Sequence, residues 1–337
     1  MNFALLLNKE VNPKKGLYWF EWVVIGYTVL TLIIMTCFYN QIPNKGQMVI
    51  FRALAVLMTL ALWGVYRLWP NRLTVMLRVA GQLILLSQWY PDTYEFNRIF
   101  PNLDHIFANW EQALFGCQPA LLFSQNFSSP WISELLSLGY VAYFPMIAAV
   151  AIYYFLKRYD RFLYAAFVIL GSFFLFYVIF IFLPVAGPQY YYQAVGCDQI
   201  AQGIFPDMGH YFLSHQESLT IPGYQEGIVY HLLQITHAAG ERPTAAFPSS
   251  HVGACVMLLW LAWETRSRWL FYSLLPLSIL LFFATFYIQA HYAIDAIAGI
   301  PVGTAMYFLL RYIYNHLSPH NSYSAKPIPH NSILLNS

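Results

Sequence analysis

The sequence predicts an all-α integral membrane protein, a multi-pass helical bundle of about eight spans. Three observations carry that prediction. Of 337 residues, 59% are hydrophobic and only 9% charged, whereas a soluble domain carries about a quarter charged residues. Apolar runs recur at the ~20-residue length that a helix needs to cross ~30 Å of hydrocarbon. Lys and Arg, finally, fall mostly at alternate ends of those runs, as the positive-inside rule requires.

The runs lie near 17–38, 48–69, 73–90, 131–156, 162–183, 249–264, 268–288 and 292–314. With the N-terminus on the cytoplasmic side, thirteen cations share that side: Lys9, Lys14, Lys15, Arg67, Arg72, Arg78, Lys157, Arg158, Arg161, Arg266, Arg268, Arg311 and Lys326. Only Lys45, Arg52, Arg98 and Arg242 fall opposite. The first run follows Lys14 and Lys15 without a small-x-small cleavage site, so it reads as an anchor and not a cleaved signal. Residues 1–90 thus form N-terminal spans, 91–314 the remaining spans with their loops, and 315–337 a polar, Pro-rich tail expected to be disordered and cytoplasmic.

Two long loops, 91–130 and 184–248, face the far side. In the first, Phe100, Leu103, Phe107, Trp110 and Leu114 recur at helical spacing opposite Asp104, Asn109 and Glu111, a pattern for a helix lying in the interface. The second is rich in Gly, Pro, Tyr and His and is expected to cap the membrane surface. Cys117 and Cys197, one in each loop, are a candidate disulfide pair in an oxidising compartment, against the commoner outcome of two free thiols. Four cysteines make no disulfide framework. A net charge of +2 with no basic run gives no nucleic-acid footprint.

The chemistry gathers at the last three spans. His251 opens the sixth, and the chain crosses, turns and returns to His291 and Asp295, so both histidines reach the same depth. Asp295, four residues beyond His291, is placed to accept from one imidazole nitrogen and leave the other as a nucleophile. His251 can hold the proton a leaving alkoxide needs. Ser249 and Ser250 suit the N-cap of the sixth span, an anion cradle for the substrate phosphate. Arg242 has two readings, a phosphate ligand or a partner of Glu241. Structural alternatives apply elsewhere. Gly299 and Gly303 form a small-xxx-small pair for helix packing. Glu21, Arg52 and Glu134 read as snorkelling side chains. Tyr190–Tyr192 reads as aromatic belt or as a border of lipid entry. His210, His215, His231 and His237 match no zinc spacing and read as surface loop histidines.

"FPSSHVG" (247–253) followed by "HYAID" (291–295) resembles the second and third signature motifs of the type 2 phosphatidic acid phosphatase superfamily. The resemblance implies that superfamily's six-helix core. It also implies His291 as nucleophile, Asp295 as the residue that orients it and His251 as acid for the leaving group. Two phosphate-binding cations of the lipid phosphatases are missing: Ile235 stands at the Lys position before Arg242-Pro243, and Thr285 at the Arg position before His291. "LDHIFANWEQALFGCQP" (103–119), "FLPVAGPQYYY" (182–192) and the AFPS-x-H pattern at 246–251 are more similar to the inositol phosphorylceramide synthase branch, its bacterial, Bacteroides-like members above all. A phosphate monoester carries nearly two charges near neutral pH and a phosphodiester one, so a pocket short of cations suits the diester. The expectation is a metal- and cofactor-free phosphotransferase of sphingolipid synthesis in the bacterial inner membrane. It would move a phosphoinositol-type headgroup from phosphatidylinositol to ceramide on the extracytoplasmic side. The alternatives are a lipid phosphatase for phosphatidic acid or undecaprenyl pyrophosphate, and a non-catalytic scaffold.

Overall fold

The computed structural model describes residues 4–238 and 240–318. The described residues contain helices and no strand. A short α1 (Ala4–Leu7) precedes three long helices, α2 (Trp19–Cys37), α3 (Lys45–Leu68) and α4 (Arg72–Asn97). Two short helices follow, α5 (Asp104–Phe115) and α6 (Pro119–Asn126). The chain then recrosses through α7 (Pro130–Val141), α8 (Tyr143–Lys157) and α9 (Phe162–Phe182). The second long loop carries α10 (Pro188–Val195), α11 (Cys197–Ala201) and α12 (Ile228–Ala238). The bundle ends with α13 (Ser250–Glu264), α14 (Arg268–Tyr287) and α15 (Ala293–Leu317).

Every apolar run predicted to span is helical. Among the described residues, five helices are long and apolar enough to cross a membrane, or six if α7 and α8, bent by 43°, count as one span; of the eight predicted spans, α4 and α13 do not reach that length and apolarity. α13 is short, 15 residues, or about 22 Å at ~1.5 Å per residue. α4 runs beyond its predicted end, through Pro91 to Asn97. α15 continues to Leu317, past the predicted start of the tail, and the tail's residues 319–337 lie outside the described residues.

α9 is the centre of the bundle. It is apolar all round, as a helix buried on every side must be, and it touches α2, α4, α8, α13 and α15. The hairpin of α13 and α14 packs with α15 through small residues. A Cβ on Gly299 would meet the Ser249 carbonyl oxygen at 2.8 Å, and one on Gly303 would collide with the Gly253 backbone. The expected small-residue packing is therefore the α13–α15 contact itself.

Of three polar residues read as snorkelling, Glu21 and Arg52 are buried in ion pairs and Glu134 is a half-buried helix cap. Glu21 and Arg78 form a two-pronged ion pair, Arg78 Nε donating to Oε1 at 2.7 Å and Nη2 to Oε2. Arg52 pairs with Asp92 through two bonds of 3.0 and 2.7 Å. Glu134 accepts from the amides of Val229 and Tyr230, both at 3.0 Å, and so caps α12. Tyr190, Tyr191 and Tyr192 are likewise buried in the fold and not displayed at an interface. Cys117 and Cys197 are free thiols.

Candidate active site

The two long loops and the start of α15 meet at one end of the bundle. Asp104, the first residue of α5, is fully buried and organises that meeting. Its Oδ2 accepts from the Ala186 amide at 2.6 Å, and its Oδ1 from the Gly187 amide at 2.8 Å and the Tyr292 hydroxyl at 3.0 Å. Gly187 sits at φ 94° against the Ala290 carbonyl, a backbone conformation and a proximity that only glycine meets easily. One turn of backbone bonds then closes the region: Gln189 N to Gln289 O at 2.9 Å, Ala246 N to Val185 O at 3.1 Å and Ser249 N to Asp295 O at 3.1 Å.

α5 forms within the predicted segment, but its polar face is divided, with Asn109 exposed and the two acids buried. Asp104 and Glu111 point into the protein, whereas Trp110 and Leu114 are exposed. The two acids stand seven residues apart on one helical face, and both serve the N-terminus of α15: Glu111 Oε2 accepts from the Ile294 amide at 3.2 Å. Burial, reinforced by the nearby Asp295 charge, pushes the Glu111 carboxyl up to about 8. Burial also raises Asp104, with its hydrogen-bond donors pulling in the other direction.

His251 and His291 come together at this end. His291 Nε2 lies 3.3 Å from His251 Nδ1, with the rings near perpendicular. His291 Nδ1 is 2.7 Å from the Ala246 carbonyl oxygen. A carbonyl only accepts, so the His291 proton sits on Nδ1 and Nε2 carries the free lone pair. The expected Asp295 contact is looser than the spacing implied: Oδ2 is 3.7 Å from Nδ1, beyond hydrogen-bond reach. It instead accepts from the Tyr292 amide at 2.8 Å, at the start of its own helix. The backbone carbonyl of Ala246 therefore takes the bond that the sequence reading gave to Asp295. Desolvation lowers His291 to about 4, so its imidazole is neutral at pH 7.

Ser249 is the N-cap of α13 and its Oγ accepts from Val252 N at 3.4 Å; Ser250 is buried beside it. Arg242 is exposed, and its Nη1 donates to the Glu241 backbone carbonyl at 2.8 Å, not to the Glu241 carboxylate. Thr285 is fully buried, and its backbone carbonyl accepts from the His291 amide at 3.1 Å.

Several residues at the site carried no sequence signal as a group. The bend between α7 and α8 sets Tyr140 and Tyr143 on either side of it, and both rings lie against His251, at 4.8 and 4.6 Å between centroids. The Glu241 carboxylate accepts from the Tyr140 hydroxyl at 3.3 Å and the Tyr90 hydroxyl at 3.4 Å. His237, read as a surface residue, is 9% exposed and ends α12 on the site side, within electrostatic range of His251. Among the described residues, no cluster of His, Cys, Asp or Glu is arranged to hold a metal ion.

The fold is thus an all-helical bundle of membrane-length apolar helices with a pair of facing histidines at one end. The model of the PAP2 superfamily matches residues 105–309, and the chain belongs to that superfamily, whose members are phosphatases or phosphotransferases. The match begins in α5 and ends in α15, leaving α2, α3 and α4 outside it. No curated protein and no solved structure matches the chain.

Proposed function

We propose that the protein is a membrane phosphotransferase. It moves a phosphoinositol-type headgroup from phosphatidylinositol to ceramide or dihydroceramide through a phosphohistidine. The observation that carries this reading is the His291–His251 pair, with the His291 proton held on Nδ1 by Ala246 and Nε2 facing His251 across 3.3 Å. His291 Nε2 attacks the donor phosphorus, the bond to the diacylglycerol oxygen breaks, and His251 supplies the proton that oxygen takes up. The ceramide hydroxyl then attacks the same phosphorus, the P–N bond breaks, and His251 takes the hydroxyl proton. Asp295, 3.7 Å from Nδ1, offsets the positive charge on the ring while phosphorus is attached. The first-turn amides of α13, capped by Ser249 and followed by Ser250, are the oxyanion donors. Arg242 approaches the phosphate by turning from the Glu241 carbonyl.

The small number of cations supports a diester donor. Arg242 is exposed, Thr285 occupies a buried backbone-bonded position, and the Glu241 carboxylate stands near the histidines. A second full charge on the substrate phosphate would meet little compensation there. The Lys and Arg asymmetry of the sequence supports an active site on the extracytoplasmic side of the membrane, read here as a bacterial inner membrane.

The test uses purified protein in mixed micelles with phosphatidylinositol and a short-chain ceramide, products read by mass spectrometry. Free phosphate from phosphatidic acid is assayed in parallel. Ceramide phosphoinositol should form, and His291→Ala should reduce it by about 10³-fold or more while remaining folded. Free phosphate without ceramide product would make the protein a lipid phosphatase.

A further inference from the structure

A phosphodiester site has an evident need for donors and cations, yet the side chain placed beside this histidine pair is a carboxylate. Glu241 makes no ion pair among the described residues. Its two oxygens receive only the long hydrogen bonds from Tyr140 and Tyr90, at 3.3 and 3.4 Å. Its charge reaches both His291 and Tyr190, and Tyr140 joins it to the ring of His251. Next to it, the His237 backbone oxygen accepts from the Glu241 amide at 3.2 Å, and the buried Nε2 of His237 has no hydrogen-bond partner. A weakly engaged carboxylate and an unpartnered imidazole nitrogen therefore stand on residues joined by a backbone hydrogen bond, each within electrostatic range of one of the two histidines.

A group that both donates and accepts hydrogen bonds would satisfy both, and a hydroxyl is that group. A trimethylammonium donates none. A bare phosphate monoester has no headgroup beyond its phosphate oxygens to reach this shelf, and its second charge would be repelled by Glu241. We propose that Glu241, with the Tyr90 and Tyr140 hydroxyls and His237, forms a subsite for the hydroxyls of a polyol carried on the substrate phosphate, and so selects the donor lipid. The inference rests on the phosphodiester-transfer reading above and names the chemistry that selects its donor.

The experiment compares phosphatidylinositol, phosphatidylcholine and phosphatidic acid as donors in ceramide-containing mixed micelles, for the intact protein and for Glu241→Ala and Glu241→Gln. Losing hydrogen bonds to a charged acceptor should raise the KM for phosphatidylinositol by about tenfold or more in Glu241→Ala, with kcat changed less than about threefold. Glu241→Gln, which keeps an accepting oxygen and the same shape, should fall between, and it decides the matter if the alanine variant does not fold. An unchanged KM, or an equal loss on every donor, overturns the subsite. A preference for phosphatidylcholine that depends on Glu241 overturns its polyol class. If the intact protein only releases phosphate from phosphatidic acid, the transferase reading fails and the polyol subsite with it. If it uses phosphatidylinositol with a KM indifferent to Glu241, the subsite fails alone.

Discussion

The Glu111 carboxyl is buried beneath the start of α15, faces the charge of Asp295, and is pushed from 4.5 up to about 8. In the fold it keeps a proton that the unfolded chain gives up near 4.5. Between those values the native state binds more protons, so stability falls as pH rises. The contribution is fully present below the unfolded value and is lost as pH passes about 8. Thermal unfolding in detergent should therefore show a midpoint that declines from pH 6 to pH 9, on the order of several degrees. Glu111→Gln, which cannot ionise, should flatten that decline; an equally steep decline in the variant refutes the argument. At this scale the sequence was informative where chemistry is local. His251, His291 and Asp295 could be selected from spacing and span ends. The Ala246 carbonyl could not, because a backbone oxygen has no residue type to mark it. Glu241, Tyr90 and Tyr140 were equally silent, since they come from three distant segments. Asp104 and Glu111 share one face by spacing, but acids beside exposed Trp110 and Leu114 read as a wet face until α15 is seen to cover them.

The elements that fix the histidine pair are α13 and α15, and they approach through glycine. Gly303 faces the Gly253 backbone so closely that a methyl group cannot be inserted without moving one helix. Ser249, Ser250 and His251 begin α13, while Tyr292 and Asp295 lie at the start of α15, so a shift at the crossing is carried directly to the 3.3 Å gap between the histidines. Gly303→Ala should cost about 1–3 kcal/mol of stability by overpacking. A displacement on the order of 1 Å should lower kcat by up to about 10²-fold. Gly64→Ala is the control, because nothing lies within 4 Å of a Cβ there; it should raise stability, by up to about 1 kcal/mol, through helix propensity alone. Unfolding midpoints and single-turnover rates of the two variants check this, and equal behaviour would refute the close-crossing account. The small-xxx-small pattern made this contact legible in sequence. The bend at Ala142 also has its mark in the run from 131 to 156, because Pro145 has no amide to donate and its ring crowds the carbonyl of Val141.

Across the whole molecule, the spans outside the matched family region hold the site from behind. Asn97, the last residue of α4, donates to the Phe180 and Leu183 carbonyls at 2.6 and 3.2 Å. Those bonds tie α4 to the end of α9, where the segment bearing Ala186 and Gly187 begins. α2, α3 and α4 are themselves fastened by two buried ion pairs, Arg78 with Glu21 and Arg52 with Asp92. A buried pair adds little over an apolar one, but removing one partner leaves an uncompensated charge. Arg78 also lies against the rings of Tyr18 and Tyr66, at 4.2 and 4.8 Å from their centres, and is fully buried. Glu21→Gln should therefore destabilise the protein by about 3–5 kcal/mol, and Glu21→Leu combined with Arg78→Met should recover most of that loss. Because the pair is remote from the histidines, the folded fraction of either variant should keep its KM. Unfolding in detergent gives the stability, and initial rates normalised to folded protein give the rest. A Glu21→Gln protein as stable as the parent would mean that Arg78 finds another partner, and the N-terminal spans would then owe their packing to apolar contact alone.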